Sequence, residues 1–178
     1  GLPLALGAGW FKAMRVAQKK RATVMHAHWV IPNGVVALAA GGGRPLVVSL
    51  HGSDVFVAEK YAPIGRAARA VFQRARWVTA CSADLAARAV RLGASPLTTE
   101  VVPYGVDAVR FCPSVDHRTR IRHQLGLGDR PIVLAAGRFV AKKGFDVLIN
   151  ALPLLVKTHP AVVVLIAGDG DLRDNLAR

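Results

Sequence analysis

The sequence predicts a doubly wound α/β fold, in which helices cover both faces of a parallel sheet. Six short apolar runs, most of them rich in β-branched residues, recur along the chain. Unbroken runs of this kind are typical of strands that are buried on both faces of a parallel sheet. Helical patterns separate the runs, and alternation of strand and helix indicates βαβ units.

The six predicted strands can be placed by their apolar centres, and the first two end at a histidine. The second runs from Leu46 to Leu50 and the fifth from Ile132 to Ala136. In chain order, the segments that contain the strands are RATVMHAH, RPLVVSLHGSD, RWVTACS, TTEVVPYG, RPIVLAAGR and AVVVLIAGDG.

Amphipathic spacing predicts the first helices. The second helix starts behind Pro32 and stops at three consecutive glycines, 41–43, which are a strong helix-ending signal. The first helix lies in GWFKAMRVAQKK, and four of its apolar residues fall on one face: Trp10, Phe11, Met14 and Ala17.

Capping residues predict the later helices. Ser82 is a good N-cap, Asp84 lies in the first turn, and Gly93 follows the last turn of SADLAARAVRLGA. A short basic helix in VDHRTRIRHQLGLG ends at Gly126. The last long helix, FDVLINALPLLVKT, has one apolar side, and we expect Pro153 to kink or shorten it.

The length of 178 residues allows one large domain or two small ones. The segment from Phe111 to Arg130 shows no strand pattern, which indicates a boundary near residues 107–130. We therefore expect residues 1–110 to form one α/β domain and residues 111–178 to begin a second. Two parallel strands with their helices cannot close a core, so the second domain is expected to be incomplete.

Composition bounds the class of protein. An apolar fraction of 52% indicates a globular chain, and its longest apolar stretch, AVVVLIAG, is too short to span a bilayer. The two cysteines, Cys81 and Cys112, do not make a disulfide framework. We expect both to be reduced, partly buried thiols in a cytoplasmic protein, since no secretory signal pattern is recognisable.

The formal net charge of +13 suits nucleic acid, an anionic membrane surface or phosphorylated substrates. Arginines recur at helical spacing in GRAARAVFQRAR, residues 65–76. They predict either an ordinary solvated helix face or a basic face that rests on anionic lipid headgroups. Charge alone does not decide between the two.

The turn after the fifth strand is dense in cations, with Arg138, Lys142 and Lys143 between two glycines. Gly137 allows a ligand to approach the backbone, and the following helix start offers unpaired N–H groups. Arg138 can bind a phosphate with two hydrogen bonds, and Lys143 adds a mobile charge. A diphosphate fits such a site, and a solubilising basic loop is the alternative.

The turn after the sixth strand, GDGDL, repeats this arrangement. Gly168 and Gly170 allow a tight turn near an anion or a ribose, although a plain turn explains them as well. Asp169 and Asp171 look like an acidic metal-binding pair. Asp171 is better explained as the cap of the next helix, so no metal site is predicted.

Histidines follow the first two strands. His26 and His28 are weak evidence for zinc, because no cysteine or carboxylate lies near them in sequence. His51 comes directly after a buried strand and before a glycine, so it could orient a sugar hydroxyl or stabilise charge. A hydrogen bond from this histidine to a loop carbonyl is the simpler alternative.

Taken together, the motifs resemble the GT-B glycosyltransferases, specifically the family 4 type of retaining sugar-nucleotide transferases. The resemblance covers nearly the whole chain and implies two Rossmann-like doubly wound domains, both incomplete here. Tyr104 stands where the family usually has asparagine, and AGDGD lacks the common proline. The matching segments are HAHWVIPNG, LVVSLHGSD, VTACSADLAARAVRLGA, VVPYGVDAVRFCP, VLAAGRFVAKKGFDVLINALPLL and VVVLIAGDGDLRDNL.

The resemblance implies roles for individual residues. Arg138 and Lys143 would hold the donor diphosphate and neutralise the leaving group, without a metal or any cofactor besides the nucleotide-diphosphate-sugar. His51 would lie near the transferred sugar, in a cleft between the two domains. Donor contacts would also come from Gly137, Gly168, Asp169 and Gly170. Acceptor-side contacts would come from His28, Asn33, Asp54, Tyr104 and Gly105.

The expected reaction is transfer of a sugar, with retention, to a hydroxyl of a glycolipid, a polysaccharide or a similar acceptor. Two alternatives stay open: a GT-B relative with epimerase or phosphorylase chemistry, and a non-catalytic basic module that binds anions or nucleic acid. The family's first strand and its paired-glutamate motif are not found, so the chain is expected to be an internal fragment that is inactive alone. Its expected location is the cytoplasm, with or without peripheral contact at the inner face of the membrane.

Overall fold

A computed structural model describes residues 2–177, with side chains described from residue 7. Within that range the chain has six strands, and every strand pair is parallel. The α/β class with parallel sheets is therefore confirmed. The chain divides into two compact units, Gly1–Asp107 and Ala108–Arg178, close to the boundary that the sequence suggests.

The first unit contains a four-stranded sheet in the order β1-β2-β3-β4. Its strands are β1 (Met25–His28), β2 (Leu46–Leu50), β3 (Trp77–Ala80) and β4 (Thr99–Val101). Its helices are α1 (Leu2–Lys19), α2 (Val35–Ala40), α3 (Ser53–Lys60), α4 (Ala62–Arg74) and α5 (Ala83–Arg91).

The core of the first unit forms around β2, which has a partner strand on each side. Leu46, Val48 and Leu50 are each no more than 3% exposed. Helix α4 buries Val71 and Phe72 in the same cluster, while its arginines face solvent. Burial of this apolar face, rather than intrinsic helix propensity, therefore holds α4 on the sheet.

The second unit has a two-stranded sheet, β5 (Ile132–Ala136) and β6 (Val163–Ala167). Phe139 and Phe145 form its best-buried apolar pair, with ring centroids 5.0 Å apart. Leu134, in the middle of β5, is 66% exposed, as expected for a sheet too small to close a core. The helices are α6 (Val115–Gln124), α7 (Phe145–Thr158) and α8 (Arg173–Leu176).

Several details differ from the sequence-based predictions. The sequence patterns did not indicate α3, because its eight residues have little apolar periodicity. Pro153 does not end α7, which continues to Thr158. Asp171 does not cap α8, whose N-cap is Leu172 without a side-chain hydrogen bond. Cys81 and Cys112 are both free thiols, but Cys112 is exposed rather than partly buried.

The predicted apolar face of α1 is only partly used. Ala17 is buried at 3% exposure, whereas Trp10 and Phe11 are 40% and 50% exposed. The cap at Ser82 is confirmed, since its hydroxyl accepts a hydrogen bond from the Leu85 N–H at 3.3 Å.

Asp54 links the loops that follow β1 and β2. It is only 6% exposed, and it accepts hydrogen bonds from the Val30 N–H at 2.8 Å and from the Gly52 N–H at 3.1 Å. Because Val30 and Gly52 belong to different loops, one carboxylate sets their spacing. This buried position favours a structural role for Asp54 over the acceptor contact that the family resemblance implies.

We predict that Asp54→Asn lowers the free energy of unfolding by about 1–3 kcal/mol. Asparagine has one accepting oxygen, so its NH₂ group would face one of the two backbone donors. Asp84→Asn is the matched control, since Asp84 is also the second residue of a helix but pairs with Arg88 at the surface. In urea unfolding, the Asp84→Asn control should lower the free energy of unfolding by less than about 1 kcal/mol. Equal losses in the two variants would contradict the structural role of Asp54.

Candidate functional site

A cavity of about 220 Å³ opens at the carboxyl edge of the first sheet. The register places His28 beside Ser49 and Ala80 beside Val101, so the loops after these strands leave the sheet at the same edge. Four of the predicted acceptor-side or catalytic residues line this cavity, namely His28, His51, Tyr104 and Gly105.

Three of these side chains form a connected polar chain. Nδ1 of His28 lies 2.9 Å from Nε2 of His51, and Nδ1 of His51 makes a short hydrogen bond with the Tyr104 hydroxyl. The His28 and His51 rings stack at 5.1 Å, and the His51 and Tyr104 rings stack at 5.9 Å. The fold thus joins residues that are 23 and 53 positions apart in sequence.

A second polar chain runs beside the first. Nε2 of His26 lies 2.8 Å from the Ser49 hydroxyl, which lies 2.7 Å from the Thr79 hydroxyl. Burial lowers the pKa of His26, and the charges of His28 and His51 lower it further. Sequence reasoning missed Ser49 and Thr79, and the available signal was a hydroxyl within an otherwise apolar strand.

The phenol of Tyr104 stays protonated well into the alkaline range. Desolvation of the hydroxyl raises its pKa, as do the Cys81 thiol and the Asp54 carboxylate beside it. Two thirds of the Tyr104 residue is nevertheless exposed, so it lines the cavity on the side that faces solvent. Cys81 lines the same cavity and was not among the predicted site residues.

The loop after β1 is tightly held. Asn33 donates a hydrogen bond from its amide to the His28 carbonyl at 2.9 Å, so its contact is internal to the loop. Trp29 adopts φ 74°, a backbone conformation that is strained for a bulky residue. Its half-exposed ring lies edge-on to His51, with centroids 6.2 Å apart, so the loop presents an aromatic surface next to the histidines.

In the second unit, the loops after β5 and β6 pack directly against each other. The Phe139 N–H donates to the Asp169 carbonyl at 2.8 Å. A Cβ added to Gly168 would lie 1.9 Å from the Gly137 oxygen, and one added to Gly170 would lie 2.7 Å from the Phe139 oxygen. Glycine is therefore required at both positions by contact between the loops, whether or not a nucleotide binds there.

Two cations of this unit lie in the turn between β5 and α7. Arg138 and Lys143 are exposed, and within residues 2–177 neither forms an ion pair or a side-chain hydrogen bond. The helix begins after Gly144, which has φ 67° and provides no side-chain cap. Exposed cations in the turn before a helix N-terminus without a side-chain cap make a candidate anion site, and Asp146 adds one negative charge to the first turn of the helix.

Asp169 interacts with its own turn. Its side chain accepts a hydrogen bond from the Gly170 N–H at 2.8 Å and lies 3.7 Å from Arg173 in an exposed ion pair. In the described part of the chain, no group of three histidine, cysteine or acidic residues is arranged to hold a metal ion. Over the same residues, no helix is long and apolar enough to cross a membrane.

Two family models match the chain in sequence. The model of Glycosyltransferase Family 4 matches residues 2–110, and that of Glycosyl transferases group 1 matches residues 117–178. The GDP-mannose-dependent alpha-(1-6)-phosphatidylinositol monomannoside mannosyltransferase of Mycolicibacterium smegmatis is 38% identical over 138 residues. That match covers 77% of this chain and 36% of the relative. The enzyme of the same name from Mycobacterium tuberculosis is 31% identical over 143 residues, and that match covers 80% of this chain and 36% of that enzyme.

The fold also resembles that of solved structures. The crystal structure of Anabaena Alr3699/HepE in complex with UDP matches with a TM-score of 0.75 and 23% identity, over 93% of this chain and 44% of that one. At that identity the likeness concerns the fold alone. The chain spans roughly a third to two fifths of the length of the curated relatives that it matches. Since the family model covers residues 2–110, more than half of the sequence, the chain belongs to glycosyltransferase family 4.

Proposed function

We propose that this chain forms part of a retaining glycosyltransferase that transfers a sugar from a nucleoside-diphosphate-sugar to a hydroxyl acceptor. The observation that carries the proposal is the pair of uncompensated cations, Arg138 and Lys143, at the uncapped start of α7. Family membership favours this activity over a binding module that uses charge alone.

The chemistry requires a stabilised leaving group. When the bond between the anomeric carbon and the diphosphate oxygen breaks, negative charge develops on the diphosphate. Arg138 can donate two parallel N–H bonds, Lys143 adds a point charge, and the amides of α7 complete the site. These groups can neutralise the diphosphate without a metal, so we propose a metal-independent reaction.

The cavity of the first unit supplies groups suited to hydroxyls. His51 and His28 bring ring nitrogens to its wall, and Tyr104 contributes a phenol. We propose that His51 contacts the transferred sugar and that His28 and the loop around Asn33 lie on the acceptor side. Asp54 and Asn33 then act by holding that loop rather than by touching the acceptor.

The relatives suggest which substrates to test first. The relative with 38% identity is named as GDP-mannose-dependent and as acting on a phosphatidylinositol monomannoside. We propose a GDP-sugar or UDP-sugar donor and a glycolipid or polysaccharide acceptor. The two free thiols support a reducing, cytoplasmic location.

We predict that UDP and GDP shift the backbone amide resonances at the start of α7, and that Arg138→Ala weakens binding at least about tenfold. Loss of a charge-assisted hydrogen bond of about 1.5–3 kcal/mol produces such a change. Lys143→Ala should act in the same direction. NMR titration of the labelled chain measures both the affinity and the place of binding.

Lys142→Ala is the matched control for this experiment, because Lys142 lies in the same turn and its loss changes the net charge equally. The control should weaken binding less than about threefold, since only long-range charge is removed. Equal weakening by all three variants would mean that the turn is a basic connector, and the proposed donor site would be wrong.

The solvent face of α4 supports a peripheral membrane contact. Arg66, Arg69 and Arg74 are exposed on this helix, opposite the buried Ala68, Val71 and Phe72. No acidic side chain of the described residues pairs with these three arginines. Unpaired arginines on one helix face can bind the headgroups of anionic lipids, so we propose that α4 contacts the membrane that carries a glycolipid acceptor.

We predict that the chain co-sediments with vesicles that contain phosphatidylserine, and that Arg66→Ala/Arg69→Ala weakens this binding at least about fivefold. Each basic residue near such a surface contributes about 1 kcal/mol. Arg118→Ala/Arg120→Ala, on α6, removes the same charge from another helix and should have less effect. Equal effects would show that net charge, and not the face of α4, determines vesicle binding.

A further inference from the structure

In the polar chain of Tyr104, His51 and His28, the donor and the acceptor of each hydrogen bond can be assigned. Each imidazole in the chain must donate at one nitrogen and accept at the other if it is neutral. Two arrangements satisfy both hydrogen bonds. In the first, Tyr104 donates to Nδ1 of His51, and Nε2–H of His51 donates to Nδ1 of His28. In the second, Nδ1–H of His28 donates to Nε2 of His51, and Nδ1–H of His51 donates to the Tyr104 oxygen.

The second arrangement uses the weaker partners, because a phenol oxygen is a poorer acceptor than an imidazole nitrogen. If the phenol oxygen accepted from His51, its own O–H would turn to solvent or toward the Cys81 thiol that lines the same cavity. A thiol sulfur is a weak acceptor, whereas an imidazole nitrogen is a strong one. The first arrangement pairs the strongest donor, the phenol, with the strongest acceptor.

The surroundings of Tyr104 keep its hydroxyl protonated in both arrangements. Desolvation, the Cys81 thiol and the Asp54 carboxylate raise the pKa of this phenol, so its O–H is present to act as a donor. The two carboxylate oxygens of Asp54 accept hydrogen bonds from the backbone N–H groups of Val30 and Gly52. The Asp54 carboxylate is therefore committed to the backbone and does not compete for the phenol proton.

We propose that Tyr104 is a positioning residue that fixes His51, and through it His28, as the Nε2–H tautomer. The Nε2–H of His28 then has no hydrogen-bond partner within the described residues. It becomes the open donor at the end of the chain, available to a ligand oxygen. The role of that donor in sugar transfer rests on the proposed function, but the tautomers themselves do not.

The length of the tyrosine side chain explains why position 104 can contact His51. A residue with a shorter side chain at position 104 would not reach Nδ1 of His51 in the way that the phenol does. Without that donor, the proton of His51 can move to Nδ1, and the bond to His28 is then made by the Nδ1–H of His28 donating to Nε2 of His51. One hydroxyl thus determines whether the cavity presents an N–H group or a lone pair at His28.

The test is a long-range ¹H–¹⁵N correlation spectrum of the labelled chain at about pH 8, above the usual histidine pKa of about 6.5. His51→Gln and His28→Gln assign the ring resonances. We expect both histidines as Nε2–H tautomers in the parent chain. In Tyr104→Phe, the ratio of Nε2–H to Nδ1–H for His51 should fall by about fivefold, the effect of one lost hydrogen bond.

Tyr61→Phe is the matched control, since it removes the hydroxyl of another half-exposed tyrosine that is not part of the chain of histidines. It should leave the ring resonances of His51 and His28 unchanged. Tyr104→Leu provides a second variant without a hydroxyl, and amide spectra verify that each variant is folded. Because Tyr104 is 66% exposed, we expect both substitutions to be tolerated.

An Nδ1–H tautomer or an imidazolium at His51 in the parent chain would overturn the proposal. So would a Tyr104→Phe spectrum in which the His51 resonances do not move. If the tautomers are as expected but no nucleotide binds at Arg138 and Lys143, the role of Tyr104 is supported and the proposed function is contradicted. If a nucleotide binds there but the tautomers are reversed, the proposed function is supported and the role of Tyr104 is contradicted. The two proposals can therefore fail separately.

Discussion

Parallel pairing of the strands is the constraint on which the candidate sites depend. In a parallel sheet every carboxyl end lies on the same edge, so loops that are far apart in sequence emerge side by side. In the first unit this brings His28, His51 and Tyr104 to one cavity. In the second unit it brings the turn after β5 against the turn after β6. An antiparallel pairing of the same residues would separate these groups to opposite edges.

The two units hold their loops in different ways. In the first, the buried carboxylate of Asp54 accepts hydrogen bonds from two loops and sets their spacing. In the second, Gly168 and Gly170 let one backbone approach another more closely than any side chain would permit. Both arrangements are made within one unit, by the Asp54 hydrogen bonds in the first and by the glycine contacts in the second. Within residues 2–177, Arg138 and Lys143 form no ion pair or side-chain hydrogen bond, so the structure of the loop does not use their charges.

Much of the fold was predictable because its signals are local. The six strands follow from apolar runs, and the cap of α5 follows from Ser82. The predictions that were wrong concerned features that depend on surroundings. Asp171 has the side chain of a cap, but the chain path makes Leu172 the N-cap of α8. Pro153 lies inside α7, which is not shortened and continues to Thr158.

The sequence by itself determined the α/β class, the positions of the strands and the types of residue at each strand end, because periodicity and capping act over a few residues. It also indicated the family, since six motifs occur in the right order. Only the tertiary structure decided which of those residues meet and what each one does. Asp54 and Asn33 proved to be bound to backbone groups, while Tyr104 proved to contact His51. Hydrogen bonds between residues 53 positions apart depend on sheet register and loop path, which no local pattern records.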